Sequence, residues 1–354
     1  GLGPGPFCGM MLADLGADVV CVDREAAQRL QPASDCTRRG KRSILLDLKT
    51  ADGRETVLKL VEKADALFEG FRPGVMEKLS LGPEECMTRN PRLVYGRMTG
   101  WGQTGHLAKS AGHDINYISL SGALAAIGRK GEKPAVPLNL VGDYGGGAMV
   151  LALGLVSALL ESQKSGQGQV IDAAMIDGSA LLMSVFYSLQ EQGQWRTERG
   201  SNLLDGGAHF YDVYETEDGK YVSIGPLEPH LYVELLEKLG VDHEAFEPQY
   251  DHDCWPELSE KFSALFKTRS RDEWCRVLEG SDACFAPVLD FNEAVHHPHN
   301  RARKTHIEVG GMMQPAPAPR FSRTSPEVAF APHEPGSDFD SVMKDWGIGN
   351  KNEQ

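Results

Sequence analysis

Three positions carry side chains suited to moving protons. Gly112-His113-Asp114-Ile115-Asn116-Tyr117 sets a histidine between a glycine and an acid, just after a strand and loop. Asp143 precedes Gly145, Gly146 and Gly147, which open an apolar helix. Glu228 sits between Pro226 and Pro229 after a further strand. A helix N-terminus carries partial positive charge and free N–H groups. It would therefore hold Asp143 ionised and offer the N–H groups of Gly145 to Gly147 to a developing oxyanion. Taken singly, each residue has a plainer explanation: a structural histidine, an N-cap aspartate. Together, one histidine and two carboxylates without metal-ligand spacing point to general acid–base proton transfer, not metal-assisted hydrolysis.

A second signal is electrostatic. The 354-residue chain has 36 Lys and Arg against 50 Asp and Glu, a formal charge of −14. Such a chain does not coat nucleic acid or anionic lipid non-specifically. Yet Arg24, Arg29, Arg38, Arg39, Lys41, Arg42, Lys49 and Arg54 crowd one stretch, and Arg72 and Lys78 follow. A solvated charged face explains any one of them. Clustered at strand ends and loops, where open α/β sheets bind ligands, they favour a phosphate-bearing, nucleotide-like anion.

Other chemistries lack their residues. The glycine-rich start before Asp23 is broken by Pro4 and Pro6 and departs from the G-x-G-x-x-G spacing of a dinucleotide site. No G-x-S-x-G, H-E-x-x-H or Walker pattern occurs. His296-His297-Pro298-His299 fits no zinc spacing and reads as surface. The seven cysteines form no C-x-x-C pair, and no Asn-x-Ser/Thr sequon occurs, so reduced thiols in an intracellular protein are expected. The apolar run Ala148–Leu160 is short for a membrane span and reads as a buried helix. Because the chain opens in mid-motif at Gly1, a preceding strand and any targeting signal are expected to be missing from it.

The elements that must position these residues alternate. Short apolar strands at 17–23, 43–48, 66–69 and 93–98 are interleaved with helices, and 168–173 returns as a strand after the long apolar helix. This rhythm predicts an α/β fold with a mostly parallel, helix-covered sheet over residues 1–185. A polar, glycine-rich linker is expected at 186–210. A smaller α+β domain at 211–306 should hold a hairpin (210–215 and 221–225) and helices at 229–239, 255–266 and 272–279. The proline-rich stretch 314–319 reads as an extended connector within 307–354.

The chain resembles the family III CoA-transferase superfamily, in its acyl-CoA racemase branch, over essentially its whole length. The resemblance rests on Gly3-Pro-Gly-Pro6, Arg39-Gly-Lys-Arg-Ser-Ile-Leu-Leu-Asp-Leu-Lys49, Gly74-Val-Met-Glu-Lys-Leu79, the 112–117 segment, Pro137-Leu-Asn-Leu-Val-Gly-Asp143 and Asn202-Leu-Leu-Asp-Gly-Gly207. It implies a large Rossmann-like domain, to which the C-terminal segment returns, and a small α+β domain. It also implies an interlocked homodimer whose active site joins the large domain of one chain to the small domain of the other. The implied activity is interconversion of (2R)- and (2S)-2-methylacyl-CoA in branched-chain fatty acid or sterol side-chain and bile acid metabolism. His113 would act on the 2S thioester and Asp143 on the 2R, with Glu228 orienting the histidine.

Implied CoA contacts are Arg24, Leu46, Asp47, Leu48, Lys49, Gly70, Arg72, Lys78, Gly112, Asp114, Ile115, Asn116 and Tyr117. No cofactor or metal is expected, since CoA is part of the substrate, and neither nucleic acid nor membrane is an expected partner. The compartment implied is peroxisome or mitochondrion in a eukaryote and cytoplasm in a bacterium; Lys351-Asn-Glu-Gln354 does not match an S-K-L-type signal. His209, at a position where relatives carry proline, is expected close to the acyl pocket. Two other functions compete. A CoA transferase would use Asp143 as nucleophile, and a non-catalytic acyl-CoA binder would need none of the three acid–base residues.

Overall fold

The computed structural model describes residues 3–25 and 34–348; Gly1, Arg29 and the tail Lys351–Gln354 lie outside them. The chain divides into two compact units. Of the described residues, one comprises those within 1–121, 138–183 and 302–354, the other those within 122–137 and 184–301.

In the first unit, α1 (Pro4–Asp14) begins on prolines, whose fixed φ and missing N–H suit a first helical turn. Strands β1 (Val19–Asp23) and β2 (Lys41–Leu45) pair in parallel. The helix α2 (Ala51–Val61) is capped by Thr50 Oγ1, which accepts the Gly53 N–H at 3.1 Å. There follow β3 (Ala66–Glu69), α3 (Val75–Lys78), α4 (Pro83–Arg89) and β4 (Val94–Thr99). After α5 (Asp114–Leu120) and the long α6 (Leu140–Ser165) comes β5 (Val170–Ala174), then α7 (Met175–Leu182). The second parallel sheet has the order β3-β4-β5. The expected Rossmann-like sheet is therefore present as two hydrogen-bonded parallel pieces.

Strand β4 is buried at every position, so Arg97 on it must be paired. Its Nε reaches Glu69 Oε1 on β3 at 3.0 Å, and Nη1 reaches Glu77 Oε1 on α3 at 2.7 Å. Burial pushes the Glu69 carboxyl above the usual range, opposed by Arg97 and the Phe71 N–H, whereas the Arg97 hydrogen bond holds Glu77 below it.

Against the expectation of a buried helix, α6 buries one face only. Leu151, Leu155 and Ala158 pack into a core with Val94, Met98 and Met175, but Leu153 is 68%, Val156 52% and Leu160 55% exposed. At 26 residues α6 is long and apolar enough to cross a membrane by length and composition, but 44% of its most apolar window is buried inside the structure. Its early glycines serve packing: a Cβ on Gly146 would stand 2.5 Å from Ser179 N of α7.

Much of the basic stretch is tied up inside this unit. Arg39 forks onto the buried Asp14 (Nη2–Oδ2 2.6 Å, Nε–Oδ1 3.1 Å) and donates to Gln314 Oε1 at 2.8 Å. Arg38 pairs with Asp23 at 3.0 Å, Arg42 with Asp18 and Asp345, and Lys41 Nζ donates to the Pro6 carbonyl. The C-terminal segment also bonds β2, where Ser43 N–H donates to Asp338 Oδ2 at 2.7 Å.

The longer segment of the second unit opens with α8 (Ser184–Glu191), so part of the segment expected as linker is helical. The antiparallel sheet β6 (Asp212–Glu215), β7 (Tyr221–Ile224) and β8 (Phe285–Val288) contains the expected hairpin. Helices α9 (Pro229–Leu239), α10 (Trp255–Phe266) and α11 (Arg271–Leu278) lie where apolar periodicity puts them. Their core gathers Phe210, Tyr232, Trp255, Phe262, Phe266 and Trp274. Residues 122–137 join this unit through Arg129, which pairs with Asp212 at 2.5 Å, and through Arg199, which donates to the Ala125 and Glu132 carbonyls.

Candidate active site

His113 is set by a loop locked from both sides. It is the N-cap of α5, with extended backbone, and its N–H donates to Asn116 Oδ1 at 3.0 Å. Before it, the Tyr117 hydroxyl donates to the Gly112 carbonyl, and the Tyr117 ring meets Trp101 edge-on at 4.8 Å. Burial, with the nearby Asp143, pushes the Tyr117 hydroxyl above its ordinary value, so it stays a donor to that carbonyl. The backbone of His113 is thus fixed while its side chain remains exposed.

Asp143 does not sit at an N-cap. The first ten residues of α6, Leu140–Met149, are π-helical, and Asn139 is the N-cap. In such a helix N–H groups bond carbonyls five residues back, as the Tyr144 N–H does to Asn139. The N–H groups of Gly145 to Gly147 are therefore inside the helical ladder and cannot cradle an oxyanion, contrary to the sequence expectation. The free donors of the first turn point elsewhere: the Asp143 N–H donates to Asp114 Oδ2 at 2.7 Å, and the Gly142 N–H bonds the same carboxylate. The Asp143 carboxylate takes one hydrogen bond on Oδ2, from Asn139 Nδ2 at 3.0 Å. Its Oδ1 has none among the described residues.

His113 and Asp143 line one cavity of about 1410 Å³, together with Asn139, Tyr117, Gly70 and Arg72. Of the implied CoA contacts, Leu48 and Gly112 also lie on this wall. Arg24, Leu46, Asp47, Lys49, Lys78, Ile115 and Asn116 are not among its lining residues, and Asp114 is buried behind it. Leu46 packs into hydrophobic clusters, and Asp47 turns back on the Lys49 N–H at 2.9 Å. Arg72 is the contrast to the tied-up basic stretch: exposed, on the cavity wall, and without an ion pair among the described residues.

Glu228 belongs to the second unit. It is the exposed N-cap of α9 and makes no capping bond. Its loop is braced by Gln249, whose Nε2 donates to the Pro226 carbonyl at 3.0 Å, and by Tyr250, whose hydroxyl donates to the Leu227 carbonyl. His209 is fully buried in the aromatic core of this unit, stacked on Phe262. Its ring is enclosed by Phe210, Tyr232 and Phe262 of the same unit. Asn139 was missed by sequence reasoning, although its i, i+4 spacing to Asp143 is the spacing of facing side chains on a helix.

Residues 1–340 match CoA-transferase family III. The chain is 47% identical to the alpha-methylacyl-CoA racemase of Mus musculus, covering 98% of this chain and 91% of the relative. It is 44% identical to that of Homo sapiens at the same coverage. A crystal structure of a CAIB/BAIF family protein from Brucella suis superposes with a TM-score of 0.84 at 23% identity, over 97% of this chain and 96% of that one. That likeness concerns the fold.

Proposed function

The chain belongs to CoA-transferase family III, and within it we infer a racemase that interconverts (2R)- and (2S)-2-methylacyl-CoA by 1,1-proton transfer. The observation that carries this reading is the placement of two chemically different proton acceptors, His113 and Asp143, on the wall of one cavity.

One base removes the α-proton, and the C–H electron pair moves into an enolate of the thioester. The other, starting protonated, returns a proton to the opposite face as the enolate π pair forms the new C–H bond. His113 serves the 2S substrate and Asp143 the 2R, and the two have exchanged protonation states after each turnover. The C–S bond never breaks and no electrons leave the substrate, so the step calls for no redox cofactor. A transferase would instead use the unbonded Oδ1 of Asp143 to expel the CoA thiolate.

The substrate class is a 2-methylacyl-CoA, supported by the names of the mouse and human relatives, and the acyl chain proposed is a branched fatty-acyl or sterol side chain. Arg72 supplies a cation for the anionic part of CoA. The working form is a homodimer in which Glu228 of a second copy orients His113. Support comes from the exposed apolar side chains Leu153, Val156, Leu160 and Leu182, which a monomer rarely leaves bare together. Seven free cysteines suit a reducing intracellular compartment, and a peroxisome or mitochondrion is the compartment proposed.

The test is proton NMR of the protein with one epimer in D2O and no acceptor acid. Loss of the α-proton signal with appearance of the other epimer is expected. Transfer of CoA to an added carboxylate without exchange would make Asp143 a nucleophile and overturn the racemase reading.

A further inference from the structure

Asp114 follows His113 in sequence but turns away from the cavity. It is 5% exposed, and its Oδ2 accepts the Asp143 N–H at 2.7 Å. The Gly142 N–H bonds the same carboxylate, whereas Oδ1 is buried with no hydrogen-bond partner among the described residues. Gly142 itself is cut to fit: a Cβ there would stand 2.6 Å from Asp114 Oδ2.

The first N–H groups of a helix have no partner within it. Here two of them, one belonging to Asp143, are tied to the residue that directly follows the other base. We propose that Asp114 is a positioning residue that registers the Asp143 backbone against the His113 loop, so that the two bases hold a fixed separation across the substrate α-carbon. A short side chain is required, because the carboxylate must end against Gly142 with no space between. Burial raises the Asp114 carboxyl above the ordinary range and the nearby Asp143 adds to this, against the two N–H bonds that lower it. Those two bonds are what keep a buried carboxylate tolerable.

This inference rests on the racemase reading, and its test separates the two. Each epimer of a 2-methylacyl-CoA is incubated in D2O, and the initial rate of α-proton loss is measured with D114A, D114N and wild type. Exchange from the 2R epimer depends on Asp143. In D114A it is expected to fall about 30-fold, the equivalent of one charged hydrogen bond. Exchange from the 2S epimer, which His113 starts, should fall no more than about threefold, with KM little changed. D114N keeps an acceptor oxygen of the same reach and should recover most of the 2R loss.

Should D114A fail to fold, G142A displaces the same carboxylate from the other side and is expected to show the same asymmetry. Equal losses from both epimers at an unaltered melting temperature, or an unaffected 2R rate, would overturn the proposal. Wild type inert toward both epimers would overturn the racemase reading instead.

Discussion

Asn139 Nδ2 donates to Asp143 Oδ2 across 3.0 Å, from the N-cap of the helix that carries the aspartate. It is the one side-chain hydrogen bond on that carboxylate among the described residues, so it sets the rotamer of the aspartate proposed as a base. Asn139→Leu removes a bond to a group that is charged in its basic state, typically worth about 2 kcal/mol. A loss of about 30-fold in exchange from the 2R epimer is expected, with the 2S rate much less affected. Epimer-resolved exchange in D2O reads both. An unchanged 2R rate would show that Asn139 does not orient the base.

Arg72 and Lys78 look alike in sequence, three residues either side of Val75, but the structure separates them. Arg72 lines the cavity without an ion pair among the described residues, whereas Lys78 ends α3 off its wall. Calorimetric titration with CoA should show Arg72→Ala weakening binding about tenfold at low salt, and less as salt screens the contact. Lys78→Ala should change it less than about twofold, as for a solvated surface charge. Equal weakening would place the anion outside this cavity.

Where periodicity was long and apolar, the sequence was easy to read. The helices at 229–239 and 255–266 appear with those bounds, since each buries a regular stripe such as Tyr232, Leu235, Leu236 and Leu239. His113 and Asp143 were legible as candidates, and the fold brings both to one cavity. The basic stretch misled because residue type does not reveal partners. Arg39 and Arg42 are held by Asp14, Asp18 and Asp345, acids up to 303 positions away. The glycines after Asp143 misled for a related reason. Gly-rich sequence fits a helix start, but here it permits a close helix crossing at Ser179 inside a π-helical segment, which no local pattern announces.

The Arg39–Asp14 pair gives a stability prediction. Both side chains are nearly fully buried, 3% and 4% exposed, and the guanidinium also holds Gln314 of the C-terminal segment. Arg39→Leu leaves Asp14 as an uncompensated buried charge, a change that typically costs about 3–5 kcal/mol. The urea midpoint should fall accordingly, and Asp14→Asn introduced into the same variant should recover part of the loss because it removes that charge. No recovery would mean that the lost tie to Gln314, not the bare carboxylate, dominates.

His209 should make the second unit sensitive to acid. The Tyr232 hydroxyl donates to the Phe246 carbonyl at 2.7 Å, so at its 2.9 Å contact with His209 Nε2 the tyrosine oxygen accepts and Nε2 carries the proton. Nδ1 is then bare, buried and without a partner among the described residues. A proton there would create a charge among Phe210, Tyr232 and Phe262 with nothing to pair it, and burial accordingly pushes the imidazole down to about 4. The unfolded chain takes that proton near the ordinary value of 6.5, so between the two values the unfolded state binds more protons and stability must fall as pH falls. The contribution is fully present above about pH 6.5 and fades toward about pH 4, by about 3 kcal/mol over that span at about 1.4 kcal/mol per pH unit. His252, stacked on Trp255 at 3.8 Å and also held low by burial, adds in the same direction. Urea melts followed by tryptophan fluorescence at several values between pH 4 and pH 7.5 measure this slope. His209→Phe should flatten most of it at some cost in stability near neutral pH, where the Tyr232 oxygen loses its donor. A slope that survives the substitution would assign the acid sensitivity to other groups.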